Sequence, residues 1–398
     1  MLAIILALLV GTASGIITGL TPGVHVNLVS ALLLAASPVL LSYVPPTLLV
    51  TFILAMAITH TFLDGIPSTF LGASEEATLP AHRLVREGKG HEAVRLLTEG
   101  SLLCLILGIL LTPVFAWVFP RAFALLKDWI GWILLGIVIW LVLRERDLDK
   151  KFWSAVTFLA AGTLGVIVLN MNLAEPLLPM LSGLFGVSSL LLSFFEKTEF
   201  PKQRVTDQLH PPPGAEAQAL GAGTLAGATI SLLPGLGPSQ AATMVGFVFP
   251  GLGNLGYLVL AGGINTVNFL VSLVTMYSLQ KARNGAMVVA LELVHTVTLR
   301  ELLLYLAVAL TVGGLATLLT LSLARVFSRI LGRVNYRMVS AGVLALVITL
   351  VAVFSGWRGL LILIISTSVG LIPQLTQTGK SHAMGCLLVP VILFFLLG

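Results

Sequence analysis

The chain has 398 residues, of which 57% are hydrophobic and only 10% charged, and its mean hydropathy is +1.03. Soluble domains carry about 25% charged residues, so a soluble globular fold is excluded and an integral membrane protein is implied. The net charge of +5 sits in short segments between apolar runs, and the positive-inside bias accounts for it without nucleic acid as a partner.

Residues 1–10 are apolar without a basic leader and read as a retained first segment. Residues 1–36 read as a hairpin in which the small-residue run Gly11-Thr12-Ala13-Ser14-Gly15 leads to a break at Pro22-Gly23. Spans of roughly the length needed to cross a bilayer are expected near 45–63, 96–118, 129–143, 152–170 and 176–195, with 75–95 as a short interfacial helix plus loop. The polar stretch 196–213 ends in Pro211-Pro212-Pro213 and marks a boundary. Beyond it the pattern restarts as a broken hairpin over 215–250 and spans near 255–280, 302–324, 338–355, 359–373 and 382–397.

The two halves correspond in detail. At one constant offset Gly11, Thr12, Gly15, Leu20, Pro22, Gly23 and Pro38 fall on Gly223, Thr224, Gly227, Leu232, Pro234, Gly235 and Pro250. Each half has an odd number of crossings, so the expected architecture is an all-α polytopic membrane protein built from two inverted-topology repeats, 1–213 and 214–398. That topology puts the basic segments 80–95, 144–151, 196–213 and 325–337 on one side, the cytoplasmic side of a plasma membrane.

Paired interrupted segments, one per half, point to a transporter's binding site. Backbone freed from helical bonding is tolerated at membrane depth only where protein buries it or it lines a cavity. The expected substrate residues are Thr21, Pro22, Gly23, His25 and Asn27 at the first tip, and Pro234, Gly235, Gly237, Pro238, Ser239 and Gln240 at the second. A helix beginning just past each break would aim free N–H groups at an anion. His25 reads either as a proton carrier or as a satisfied interhelical histidine.

Residues 58–69 form the densest polar cluster in an apolar context. Asp64 is either an intramembrane acid that binds a coupling Na⁺ or proton, with His60 one turn earlier, or a residue at the end of its span. Thr59 and, in the second half, Asn265, Thr266 and Asn268 supply further oxygens for an ion. Asn170, Asn172 and Glu175, and Glu292 with His295, form weaker clusters at expected span ends. Arg325, Arg329, Arg333 and Arg337 read as a helical stripe facing anionic lipid. Cys104 and Cys386 read as inert buried thiols, no metal ligand set is expected, and no ATP-binding or hydrolase signature occurs.

The sequence SLLPGLGPSQAA at 231–242, with GIITGLTPGVHVN at 15–27 as a divergent copy, resembles the paired Gly-x-x-Pro-Gly-Leu-Gly-Pro motifs of the large membrane subunit of tripartite tricarboxylate transporters, the TctA-type permeases. Residues 66–93 are similar to the segment that follows in that family, without its second Pro-Gly and its Asp-Gly. The resemblance implies gradient-driven uptake of a carboxylate, with a small membrane subunit and an extracytoplasmic substrate-binding protein as partners, and no cofactor beyond Na⁺ or H⁺. A homodimer is left open. The rival reading is a translocase of an anionic lipid carrier such as a polyprenyl phosphate, which would need a lateral opening lined by Arg or Lys. An intramembrane enzyme would need a paired acid, a Ser–His dyad or a metal cluster, and none is legible, so the chain is read as a non-enzyme.

Overall fold

The computed structural model describes residues 2–21, 24–71, 78–195, 201–282, 284–330 and 336–397. Every regular element among them is helical, and nine stretches are long and apolar enough to cross a membrane. The first half contains α1 (Leu2–Leu20), α2 (Val26–Leu40), α3 (Pro46–Leu63), α4 (Gly65–Leu71), α5 (Thr78–Arg86), α6 (Gly90–Leu110), α7 (Thr112–Leu126), α8 (Ile130–Leu143) and α9 (Leu148–Leu169). It closes with α10 (Leu177–Leu181), a π-helical turn at Ser182–Val187 and α11 (Ser188–Phe195). The second half contains α12 (Pro213–Ile230), α13 (Pro238–Val248), α14 (Gly253–Ser278), α15 (Gly285–Val294), α16 (Leu299–Ile330), α17 (Tyr336–Leu375) and α18 (Gly385–Leu397).

Lipid tails are as apolar as leucine, so helices in a bilayer associate by close packing rather than by escape from water, and small residues set the contacts. Gly11 packs on Phe52 and Ala55, Gly15 on Met56 and Thr59, and Gly19 on His60 and Leu63. The numbers rise together, so α1 runs parallel to α3 and α2 must lead the chain back between them. In the second half Gly223 meets Leu260, Gly227 meets Ile264 and Val267, and Ser231 donates to the Asn268 side chain at 3.0 Å. Thus α12 lies on α14 as α1 lies on α3, and Asn268 holds the place of His60. The correspondence extends further: α6 packs on α14 as α16 packs on α3, and α18 on α9 as the π-turn segment on α17. The spans Pro46–Phe70 and Pro250–Ser278 are 72% and 83% buried, against 22% for Arg337–Leu375, which makes α3 and α14 the centre.

Several expected boundaries move. The span expected at 96–118 is α6, which starts at Gly90 and stops before Thr112-Pro113, where proline opens a new helix. Residues 90–95 are therefore helix rather than loop. Their charges are absorbed: Arg95 pairs with Glu92 at 3.1 Å and Glu99 at 3.0 Å on its own helix. The extended strap 201–212 supplies the remaining partners. Thr206 Oγ1 and the Gln208 amide donate to Glu92 at 2.8 and 2.7 Å, Arg95 donates to the Leu209 carbonyl, and Gln203 bridges Gly90 and Val85.

Likewise 148–151 begins α9 rather than ending a loop. Of the arginines read as a stripe, Arg325 and Arg329 stand on α16 and Arg337 on α17, while Arg333 lies outside the described residues. The 40 residues of α17 would reach roughly 60 Å if straight, twice a hydrocarbon core. Gly356 breaks it at φ 61°, a backbone conformation open to glycine, into the two legs expected at 338–355 and 359–373.

A methyl group separates tight from loose helix contacts. A Cβ at Gly227 would stand 2.8 Å from the Ile264 carbonyl oxygen, whereas one at Gly221 meets nothing within 4 Å. Gly227→Ala is expected to cost about 1–3 kcal/mol and lower the melting midpoint of detergent-purified protein. Gly221→Ala should leave that midpoint unchanged.

Candidate functional site

The chain turns out of α1 at Thr21, whose amide reaches the Ile17 carbonyl at 3.1 Å, and α2 starts at Val26. His25 is the N-cap: its Nδ1 accepts from the Asn27 amide at 3.2 Å, which leaves the tautomer with a proton on Nε2. Its ring stands edge-on to that of His60, with centroids 5.0 Å apart. His60 is only 8% exposed, and its Nδ1 has no hydrogen-bond partner. One turn on, Asp64 ends α3, its amide bonded to the His60 carbonyl at 2.8 Å. Asp64 forms none of the ion pairs found among the described residues.

These groups line one cavity of about 380 Å³, together with Thr21, Asn27, Pro67 and Ser68. The facing wall comes from the π-turn, α11 and the first leg of α17, through Ser182, Phe185, Ser189, Val339, Ser340 and Val343. A π-turn widens a helix locally and frequently marks functional sites. Glu175 closes one end, its carboxyl pushed above the ordinary range by burial. At another point of the wall Lys380 donates to Ser189 Oγ at 2.8 Å. Among the described residues no lysine or arginine lines the cavity itself.

The structure thus brings together Thr21, His25, Asn27, His60 and Asp64. Pro22 and Gly23 lie outside the described residues. Asn27 has a second task, since its side-chain oxygen accepts from the Ala286 amide at 3.0 Å and caps α15. Thr59 is fully buried against Gly15, away from the cavity. Thr266 donates to the Gly262 carbonyl at 3.1 Å and Asn268 accepts from Ser231, while half-buried Asn265 lines neither main cavity.

The second tip has the same shape and a different setting. Gly237 is the N-cap of α13, in the place of His25, and its amide donates to Gln240 Oε1 at 2.9 Å. Gly235 takes a left-handed φ of +83°, which only glycine adopts freely. Around the tip Leu233, Leu236, Leu134, Val138, Leu388 and Ile392 belong to one packed cluster. Pro234, Gly235, Gly237, Pro238, Ser239 and Gln240 therefore share no cavity with the first tip, although Gln240 Nε2 is buried without a partner. A separate cavity of about 490 Å³ involves Glu292, His295 and Lys281. Cys104 and Cys386 are both buried.

The tripartite tricarboxylate transporter TctA family matches residues 5–385 of this sequence. The chain belongs to that family. It is also 26% identical to an uncharacterized protein of Methanocaldococcus jannaschii over 414 aligned positions, covering 99% of both chains. No solved structure matches it. As a TctA-family protein it is a multi-pass membrane component of a transporter.

Sequence reasoning gave Glu175 only a weak place and missed Ser182, Ser189 and Ser340. Their one signal was the run of Ser and Gly at 182–189 inside an apolar stretch.

Beside Lys380 stands His82, on α5. Burial first, then the charges of Arg86 and Lys380, push its pKa from 6.5 down to about 4. Neutral His82 therefore stabilises the fold above pH 6.5, and that contribution is lost as pH falls from 6.5 toward 4. Hydrogen exchange across Thr78–Arg86, corrected for intrinsic rates, is expected to quicken in that window, and His82→Gln should abolish the pH dependence.

Proposed function

We propose that this TctA-family protein is the substrate-conducting permease of a secondary transporter, carrying a small organic anion, a carboxylate, across the plasma membrane on a Na⁺ or H⁺ gradient. The observation that carries the proposal is the convergence on one cavity of a helix N-terminus, two facing histidines and an acid without an ion-pair partner. The Val26 amide that opens α2, with His25 and the Asn27 side chain, suits a carboxylate group. Asp64, beside His60, suits the coupling ion, because a lone acid at membrane depth is costly unless it has such a role.

Under this proposal residues 1–213 and 214–398 are inverted repeats, and the basic segments face the cytoplasm. The repeated glycine packing of α1 on α3 and α12 on α14 supports that relation. The asymmetry between an open first tip and a packed second tip fits alternating access, with the second tip residues, Pro234 to Gln240, opening when the first closes. Thr59, Asn265, Thr266 and Asn268 then serve as the packed scaffold behind the ion site rather than as its ligands. A small membrane subunit and an extracytoplasmic binding protein complete the transporter, as the family's tripartite organisation suggests.

Reconstitution into liposomes with radiolabelled carboxylates, with and without Na⁺ and pH gradients, tests the reading. Gradient-dependent accumulation is expected, and no uptake of any carboxylate would sink it. Asp64→Asn should abolish the dependence on the gradient while leaving binding at equilibrium within a few-fold; coupling that survives in the variant removes Asp64 from the mechanism.

A further inference from the structure

The cavity at the first tip is divided by chemistry. One wall, from α1, α2, α3 and α4, presents Thr18, Thr21, His25, Asn27, His60 and Asp64. The other, from α10, the π-turn, α11 and α17, presents Leu178, Leu181, Phe185, Leu190, Val343 and Val347. His60 and Ser340, which line it, are 8% and 1% exposed, and neither His60 Nδ1 nor Ser340 Oγ has a hydrogen-bond partner among the described residues. Buried polar groups are normally bonded, so either group gains a bond if a small shift of its side chain brings it to a ligand in the cavity. The N-terminus of α2 opens beside His60, with His25 as its cap.

The charge inventory restricts what fits. Among the described residues the lining carries two acids, Asp64 and Glu175, and no lysine or arginine. Lys380 does not line the cavity but donates to Ser189 Oγ, which does, at 2.8 Å. A di- or trianion placed here would bring further negative charge against two carboxylic groups in a poorly solvated space, a cost repaid only by well-placed cations. A single carboxylate is matched by what is present: the Val26 amide, the His25 Nε2–H and the Asn27 side-chain amide on one side, with a cation held by Asp64.

We infer that the substrate is an amphipathic monocarboxylate, its carboxylate at the first tip between His25 and His60 and its hydrocarbon body against the Phe185 wall. This rests on reading the cavity as a carboxylate site. It departs from the tricarboxylate of the family's name, because the described residues that line the cavity include none of the cations that a trianion requires.

The test is equilibrium binding of radiolabelled hexanoate to the purified full-length protein, displaced by unlabelled acetate, butyrate, octanoate, palmitate, succinate and citrate. Affinity is expected to rise up to about four-fold per added methylene from acetate to hexanoate, with succinate and citrate displacing at least ten-fold more weakly. A plateau at octanoate would identify an acid taken from water, and a continued rise to palmitate one taken from the bilayer; both retain the monocarboxylate class. Phe185→Ala should weaken hexanoate several-fold and leave acetate unchanged, and Leu181→Ala provides a second probe of the same wall.

Citrate or succinate binding more tightly than hexanoate would overturn the inference while leaving the carboxylate permease intact. Affinity that does not vary with chain length would do the same. If no carboxylate of either kind bound or was taken up, the permease reading itself would fall.

Discussion

Contact between helix backbones, made possible by glycine, is the constraint from which the rest of this structure follows. Without water to expel, a helix pair in a bilayer gains only what packing and interhelical hydrogen bonds give. The centre of this protein is built on that basis. A Cβ at Gly100 would lie 1.9 Å from the Val259 carbonyl oxygen and one at Gly262 would lie 2.0 Å from that of Leu97. Helices α6 and α14 therefore touch backbone to backbone, and Ser101 adds a hydrogen bond to Gly262 at 3.1 Å. The same device joins α1 to α3 and α12 to α14, which fixes where each tip stands relative to the central helices. His60 reaches His25 only because Gly19 lets α1 and α3 come so close.

Much of this was legible in the sequence. The glycine runs and the Pro-Gly pairs after them pointed to helix ends near Leu20 and Ile230, because proline and glycine act on the backbone locally and need no knowledge of partners. The polar cluster around Asp64 stood out for a similar reason, as charge is conspicuous in an apolar run. What escaped the sequence depends on distant partners. Glu92 and Arg95 looked like loop residues, since nothing nearby reveals that Thr206, Gln208 and Leu209 will cover them. The π-turn at Ser182–Val187 escaped too, because one extra residue in a helical turn leaves no clear mark in an apolar periodicity.

The candidate site was half legible for the same physical reason. Local chemistry brought His25, Asn27, His60 and Asp64 forward, but the wall opposite comes from α10, α11 and α17, more than a hundred residues away in sequence. Nor could matched motifs foretell unmatched surroundings. The two tips share their capping geometry, yet Leu233 and Leu236 sit in a packed cluster while His25 faces open volume. The difference lies in how α18 and the π-turn segment approach their respective tips, which is a property of tertiary packing alone.

The strap at 201–212 has a mechanical meaning beyond covering charges. It is the covalent connection between the two halves, and it is fastened to α5 and α6 as far as Leu209. Since α12 begins at Pro213, only His210, Pro211 and Pro212 remain as slack. Three residues extend to roughly 10 Å at most, and two of them are stiffened by their proline rings. While the strap stays bound, it acts as a short tether that caps how far the start of α12 can travel from α6.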